Sequence, residues 1–175
     1  MGKYLFMLIL SGFAANAAAQ GTSSWVVPVT TARWTYDVGA AVGTDQLGNY
    51  TEIQIGANWH QNQWLAWRNA LFTRFGNNYD SIFGLDTSIR GEMNLIKPGS
   101  NFGVQLYAAP GARFATRDSS AGFLEAGVTL KLASLYVGGA VKQFYYMQDR
   151  QDRFGRDLPN EETQTSLILS GGGTF

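Results

Sequence analysis

His60 is the residue best suited to catalysis in this sequence, and it is the only histidine in the chain. An imidazole can activate a serine hydroxyl as a base when the two side chains lie within hydrogen-bonding distance. The residues that follow, Gln61-Asn62-Gln63, supply no hydroxyl. The sequence therefore predicts an exposed turn histidine, no catalytic residue and no enzymatic activity. One histidine and no cysteine also argue against a metal site, and we expect no cofactor.

Twelve charged residues share one feature, because each lies on the polar side of a segment whose alternate residues are apolar. Seven of the twelve are basic and five are acidic, so side chains of both signs can pair if the segments bring them together. They are Arg33, Asp37, Glu52, Arg68, Arg74, Asp86, Arg90, Glu92, Arg113, Glu125, Lys131 and Lys142.

Eight segments alternate apolar and polar residues with the period of two that is typical of β-strands. The predicted strands are Ala32–Gly43, Tyr50–Trp59, Trp64–Phe75, Ile82–Met93, Phe102–Phe114, Gly122–Leu132, Leu135–Met147 and Thr163–Phe175. Pro110 predicts a bulge or a local break in the fifth strand. No helical periodicity is visible after the N-terminal segment. The fold class is therefore all-β, as an eight-stranded antiparallel up-and-down transmembrane β-barrel.

The apolar faces of these segments carry no charge and gather aromatic residues near their ends. Two aromatic girdles around an aliphatic band match the two interfaces of a bilayer. One predicted girdle holds Trp34, Trp59, Trp67, Phe102 and Phe175, and the other holds Tyr50, Phe75, Phe83, Phe114 and Tyr145. A soluble β-domain that buries its apolar face is the alternative.

If the apolar faces look outward, the twelve charged residues line the interior of the barrel. Eight strands leave a lumen that side chains can fill. We expect a plugged lumen that is cross-linked by ion pairs, because isolated buried charges are costly. The alternative is that these residues line small water pockets.

The N-terminus reads as an export signal. Lys3, an apolar run over 4–13 and Ala17-Ala18-Ala19 predict a secretory signal peptide over residues 1–19, with a retained helical anchor as the alternative. Residues 20–31 are a lead-in, and residues 32–175 form the barrel. Equal numbers of basic and acidic residues, 13 of each, argue against a nucleic-acid partner.

The last predicted strand ends on Phe175, and it resembles the closing strand of bacterial outer-membrane barrels. The whole pattern resembles small outer-membrane barrels of the OmpA/OmpX type. The resemblance implies a bacterial outer-membrane location, contact with lipid and lipopolysaccharide, and a terminal assembly signal, Phe175, that the barrel assembly machinery reads. It transfers no catalytic residues.

The favoured function is a structural, non-enzymatic barrel. A narrow porin-like pore and a lipid A-modifying enzyme are the alternatives. Residues 148–162 repeat Gln-Asp-Arg and form either a solvated loop or a surface contact in which Arg150, Arg153 and Arg156 meet phosphates. Glycines at 138–139 and 171–173 either ease curvature or allow a second barrel to approach as a homo-oligomer.

Overall fold

The computed structural model describes residues 33–45, 48–62, 64–76, 79–96, 102–132, 135–151 and 155–171. The predicted signal peptide (1–19), the lead-in (20–31) and the assembly signal Phe175 lie outside these residues. No helix among the described residues is long and apolar enough to span a membrane.

Ten strands make up the described fold, and eight of them form the barrel. The strands are β1 (Arg33–Asp45), β2 (Gly48–His60), β3 (Leu65–Gly76), β4 (Tyr79–Ile96), β5 (Phe102–Ala115), β6 (Ala121–Leu132), β7 (Leu135–Tyr146), β8 (Arg150–Gln151), β9 (Asp157–Leu158) and β10 (Glu161–Gly171). The two short strands β8 and β9 pair with each other within the connection between β7 and β10.

The eight long strands form a closed barrel in the order β1-β10-β7-β6-β5-β4-β3-β2. Every pair is antiparallel, and β10 closes the barrel by pairing with both β7 and β1. Val38 on β1, for example, lies opposite Ile55 on β2 and Leu169 on β10. The predicted eight-stranded antiparallel barrel is confirmed.

We call the end at which β1 begins the proximal end, and the end that holds the β7–β10 connection the distal end. The connections 46–47 and 77–78 at the distal end hold two residues each, as does 133–134 at the proximal end. Short connections join neighbouring antiparallel strands directly. The connection that carries β8 and β9 is the long one.

Successive side chains alternate between the two faces of the barrel wall, with apolar residues outside and charged residues inside. Leu71 is 68% exposed and Val128 is 43% exposed on the outer face. Arg68 and Arg74, on the same strand as Leu71, are 1% exposed on the inner face. The barrel is thus inside out compared with a water-soluble core, in which the apolar side chains are buried.

The proximal aromatic girdle is most regular on β1, β2 and β3. Trp34 lies opposite Trp59, which lies opposite Trp67. The rings of Trp34 and Trp59 stack with centroids 5.9 Å apart, and the indole nitrogen of Trp67 donates to the Thr87 hydroxyl at 2.8 Å. Phe102 is exposed at the same end of the barrel.

The distal girdle contains four of its five predicted members on the outer face, namely Phe75, Phe83, Phe114 and Tyr145. The prediction was wrong for Tyr50, which is 2% exposed and points into the lumen. The reason is the period of two on β2. Ile53 and Ile55 face outward, so an even-numbered residue of that strand faces inward.

Pro110 does not break β5, which runs continuously through it. On one side Pro110 lies in register with Leu124 of β6, while the regular pairing with β4 pauses between Gly111 and Ala108. Because proline has no N–H to donate, the ladder loses bonds there without losing its register. The predicted local break is therefore limited to the ladder with β4, while β5 itself and its pairing with β6 continue through Pro110.

Large inward side chains lie opposite glycines on neighbouring strands. Gly127 on β6 pairs with Tyr107 on β5, and a Cβ at Gly127 would lie 2.7 Å from the tyrosine ring and 2.7 Å from the Gly139 carbonyl oxygen. The second contact is with backbone, which cannot turn aside. Glycine at this position therefore makes room for the tyrosine.

Gly127→Ala should lower the free energy of unfolding by about 1–3 kcal/mol, because the added methyl group has no room. Gly122→Ala is the matched control on the same strand, since a Cβ there meets nothing within 4 Å. Urea titrations of the refolded chain in lipid vesicles, followed by tryptophan fluorescence, measure both. Equal stability of the two variants would contradict the crowding at Gly127.

Candidate functional site

The interior of the barrel is the candidate site, because it gathers charged side chains away from solvent. The structure buries nine of the twelve predicted interior residues: Asp37, Glu52, Arg68, Arg74, Asp86, Arg90, Arg113, Glu125 and Lys142. The Glu92 side chain is 7% exposed at the proximal mouth, and Lys131 is half-buried. The side chain of Arg33 lies outside the described residues.

Arg113 on β5 occupies the middle of the network and bridges two other strands. Its Nη1 and Nη2 donate to Glu52 of β2 at 2.9 and 2.7 Å, and its Nε and Nη2 donate to Asp86 of β4 at 2.7 and 2.8 Å. The guanidinium plane lies 3.7 Å from the Phe72 ring centroid and 4.2 Å from that of Phe144. Two bidentate pairs between aromatic rings hold this side chain in one geometry.

Lys142 on β7 extends the network to the opposite wall. Its Nζ donates to Asp86 Oδ2 at 3.0 Å and lies 3.1 Å from Glu125 Oε2. Glu125 also accepts a hydrogen bond from the Tyr107 hydroxyl at 2.8 Å. The chain of contacts therefore crosses the lumen from β2 to β7.

Glu162 on β10 is the centre of a second cluster near the distal end. It accepts hydrogen bonds from Tyr50, from Tyr146 at 2.9 Å and from Arg74 at 3.1 Å. Arg74 Nε also donates to Glu52 at 3.1 Å, which joins this cluster to Arg113.

Arg150, the first residue of β8, folds back over this cluster. Its guanidinium lies 3.3 Å from the Tyr146 ring centroid, and it donates to the Pro159 carbonyl at 2.7 Å and to Glu162 at 3.5 Å. Arg150 is 3% exposed. The idea that Arg150 meets phosphates outside the barrel is therefore wrong, because its charge is used internally. Arg153 lies outside the described residues, and Arg156 is exposed.

A third cluster lies toward the proximal end. Arg68 donates from Nη2 and Nε to the two Asp37 oxygens at 2.6 and 3.0 Å, and Asn58 donates to Asp37 at 2.7 Å. Arg90 lies 4.1 Å from the Tyr107 ring centroid and 3.6 Å from Glu125. All the buried carboxylates of the described interior thus have a basic partner.

His60 is not the exposed turn residue that the sequence predicts. It is the last residue of β2, its side chain is 24% exposed, and its Nε2 lies 3.0 Å from the Thr35 hydroxyl. Its Nδ1 is 3.7 Å from Glu92, which accepts from Gln105 at 3.2 Å. These residues come from four strands, so no local sequence pattern marks them.

The sequence pattern did not lead us to predict Glu162, Tyr50 and Arg150 as interior residues. Glu162 was predictable, because it continues the inward set Gln164, Ser166 and Ile168 by two residues. Arg150 was not, since its position depends on how the β7–β10 connection folds over the distal mouth.

The described residues contain no cluster of three or more side chains suited to a metal ion. Several buried nitrogens lack a protein partner, among them Arg74 Nη2 and Arg150 Nε. Among the described residues, the buried charges of the interior pair chiefly with one another.

Arg113→Met should lower the free energy of unfolding by about 3–5 kcal/mol, because it breaks two buried ion pairs and leaves both carboxylates with fewer partners. Arg156→Met is the control on the exposed connection and should change stability by about 0.5 kcal/mol or less. Urea unfolding in vesicles gives both values. A loss for Arg113→Met no larger than the control's would show that the bridge does not hold the interior together.

No protein-family model matches the sequence, and no curated protein sequence matches it. The solved structures that are similar in fold include two named proteins. One is the outer membrane enzyme PagL, with a TM-score of 0.54 and 16% identity over 78% of this chain and 99% of that chain. The other is Neisserial surface protein A (NspA), with a TM-score of 0.53 and 13% identity over 82% of this chain and 98% of that chain. This chain therefore has the fold of small eight-stranded outer-membrane barrels.

Proposed function

We propose that this chain is a structural, non-enzymatic barrel of the bacterial outer membrane, with a lumen closed by its own ion pairs. The observation that carries the proposal is Arg113, which reaches from β5 across the lumen to Glu52 on β2, pairs with Asp86 on β4, and lies against the rings of Phe72 and Phe144. A side chain fixed in this way fills the cross-section that a pore would need.

The outer face of the barrel supports a location in the membrane. Its outward side chains are mostly aliphatic between two aromatic ends, as on β5, where Leu106 and Ala108 lie between Phe102 and Phe114. An apolar surface this large is unfavourable in water and favourable against acyl chains. Both solved neighbours are named for an outer-membrane or surface protein, and the predicted signal peptide agrees with export.

In the proposed outer-membrane location, the proximal end of the barrel faces the periplasm and the distal end faces the cell exterior. Short connections on the periplasmic side and a longer one outside are usual for such barrels. The exposed part of the β7–β10 connection, with Arg156 and Asp157, is then the surface available for lipopolysaccharide or another partner. Arg150 holds this connection against Tyr146 and Glu162.

Ester hydrolysis is the second candidate, and one observation favours it. Thr35, His60 and Glu92 follow the order of hydroxyl, imidazole and carboxylate in a nucleophilic site. The 3.7 Å separation of Nδ1 and Glu92 is longer than a hydrogen bond, so we rank this function below the structural one. Fatty-acid release from phospholipid vesicles by the refolded wild type and by His60→Ala distinguishes the two, because the site lies at the periplasmic end.

Planar-bilayer recording tests the closed lumen. The purified monomer should give no steady conductance, because the Arg113 and Lys142 pairs block the cross-section. The double variant Arg113→Ala with Lys142→Ala removes both cross-lumen cations and should conduct more often than the wild type. Steady nanosiemens conductance of the wild-type monomer would favour the pore instead.

Leu71→Arg tests the membrane-facing surface. A cation near the bilayer midplane should destabilise the inserted barrel by about 2–4 kcal/mol. Met147→Arg, just beyond β7, is the control and should cost about 1 kcal/mol or less, because it lies outside the aliphatic band. Unfolding in vesicles and heat-dependent migration on a gel measure insertion. Equal effects of the two variants would favour a water-facing surface.

A further inference from the structure

Asn69 is an amide side chain on the outer face of β3, which also carries Trp67, Leu71, Thr73 and Phe75. It lies between Trp67 and Leu71, which both point outward. Within the described residues, the side-chain amide of Asn69 makes no hydrogen bond, while its backbone lies in the ladders with β2 and β4. Gln143 on β7 is another outward amide, and its oxygen accepts a hydrogen bond from the Thr163 hydroxyl. The two amides therefore differ, since the oxygen of Gln143 has a partner within the barrel, whereas neither the oxygen nor the nitrogen of the Asn69 amide has one among the described residues.

The depth of Asn69 in the bilayer makes this difference important. This step rests on the proposed location of the barrel in the outer membrane. Trp67 and Phe75 mark the two interfaces on β3, so Leu71 lies near the midplane. At about 3.3 Å per residue and a tilt of about 40°, Asn69 lies roughly 5 Å from the midplane. An amide without a partner in hydrocarbon is costly, because acyl chains cannot donate or accept hydrogen bonds.

The residues beside Asn69 leave space for a close contact. Ala57 lies directly opposite it on β2 and Thr87 directly opposite on β4, with Ala112 next in line on β5. Larger side chains border this row, with Leu71 and Leu85 on the distal side. The Asn69 amide is thus accessible to a group that approaches between these borders.

We propose that the outer face around Asn69, on β2 to β5, is the docking surface for a second copy of this chain. A two-fold axis along the membrane normal sets the same strand of each copy at the contact, so that residues near the crossing point meet themselves. An amide both donates and accepts. Two Asn69 side chains facing each other can therefore form reciprocal hydrogen bonds and satisfy both groups.

In this arrangement each Asn69 amide finds the hydrogen-bond partners that lipid alone does not supply. Polar side chains between membrane segments hydrogen-bond across the contact, and small neighbours allow the backbones to approach. Tilted strands of two facing barrels cross at an angle, which limits the contact to the region near Asn69. On the surface over β7 the requirement is smaller, because the Gln143 oxygen already accepts a hydrogen bond from Thr163.

The absence of cysteine from the chain allows a direct test. Asn69→Cys should form a disulfide-linked dimer on mild oxidation of membranes that contain the full mature chain. Val141→Cys is the matched control, because it is an outward residue on β7, which lies diametrically opposite β3 in the strand order. The control should remain monomeric. Equal cross-linking of the two variants overturns the proposal.

A second measurement keeps the native amide in the comparison. Asn69→Leu should raise the dimer dissociation constant on the order of tenfold, as expected for loss of hydrogen bonds worth about 1–2 kcal/mol in a membrane. The dissociation constant of Asn69→Gln, which keeps an amide, should lie between those of the wild type and Asn69→Leu. Energy transfer between labelled chains in phosphatidylcholine vesicles measures the dissociation constant. An unchanged value for Asn69→Leu overturns the proposal.

Heat-dependent gel migration of the same samples distinguishes a failure to dimerise from a failure to insert into the membrane. Wild-type chain that inserts into vesicles but remains monomeric contradicts the docking surface alone, and lipid then covers Asn69. Wild-type chain that does not insert contradicts the membrane address, and the docking surface with it.

Discussion

The structure depends on the pairing of charges that the closed barrel removes from water. A carboxylate or guanidinium that loses its hydration costs several kcal/mol unless an opposite charge replaces the water. Arg113 meets this requirement twice, through Glu52 and Asp86, and Phe72 and Phe144 enclose the pairs. Arg113 and its two carboxylate partners lie on three strands, so these contacts also connect β2 and β5, which backbone hydrogen bonding does not join directly.

The same constraint explains why glycines accompany the largest inward side chains. The narrow lumen cannot hold two large residues side by side, and cross-strand neighbours point the same way. Gly43 lies opposite Tyr50 and Gly127 lies opposite Tyr107, and in both cases an added Cβ would collide with the ring. The abundant glycine of this sequence is therefore partly a consequence of filling a small barrel with long polar and aromatic side chains.

Periodicity predicted the strands, their faces and most of the interior, because alternation is a local property of a strand. It did not predict which charges meet. Arg74 reaches Glu162 on a strand 88 residues away, and that contact depends on the register of every hairpin between them. His60 shows the same limit, since Thr35 and Glu92 come to it from β1 and β4. Tyr50 is a different case. It is an even-numbered residue of β2, which already indicated that its side chain faces the lumen, but its position near the strand end suggested the aromatic girdle.

Unpartnered polar atoms have opposite consequences on the two faces of this wall. Inside, the amide of Gln164 lacks a protein partner, but it lies among other polar groups, beside Lys142 in the strand register. A water molecule in such a place finds the several polar neighbours that it needs. Outside, the proposed membrane location sets acyl chains beside Asn69, and these can replace neither a donor nor an acceptor. Solvent can thus complete the interior, whereas on the outer face the proposed second copy would supply the polar group that lipid lacks.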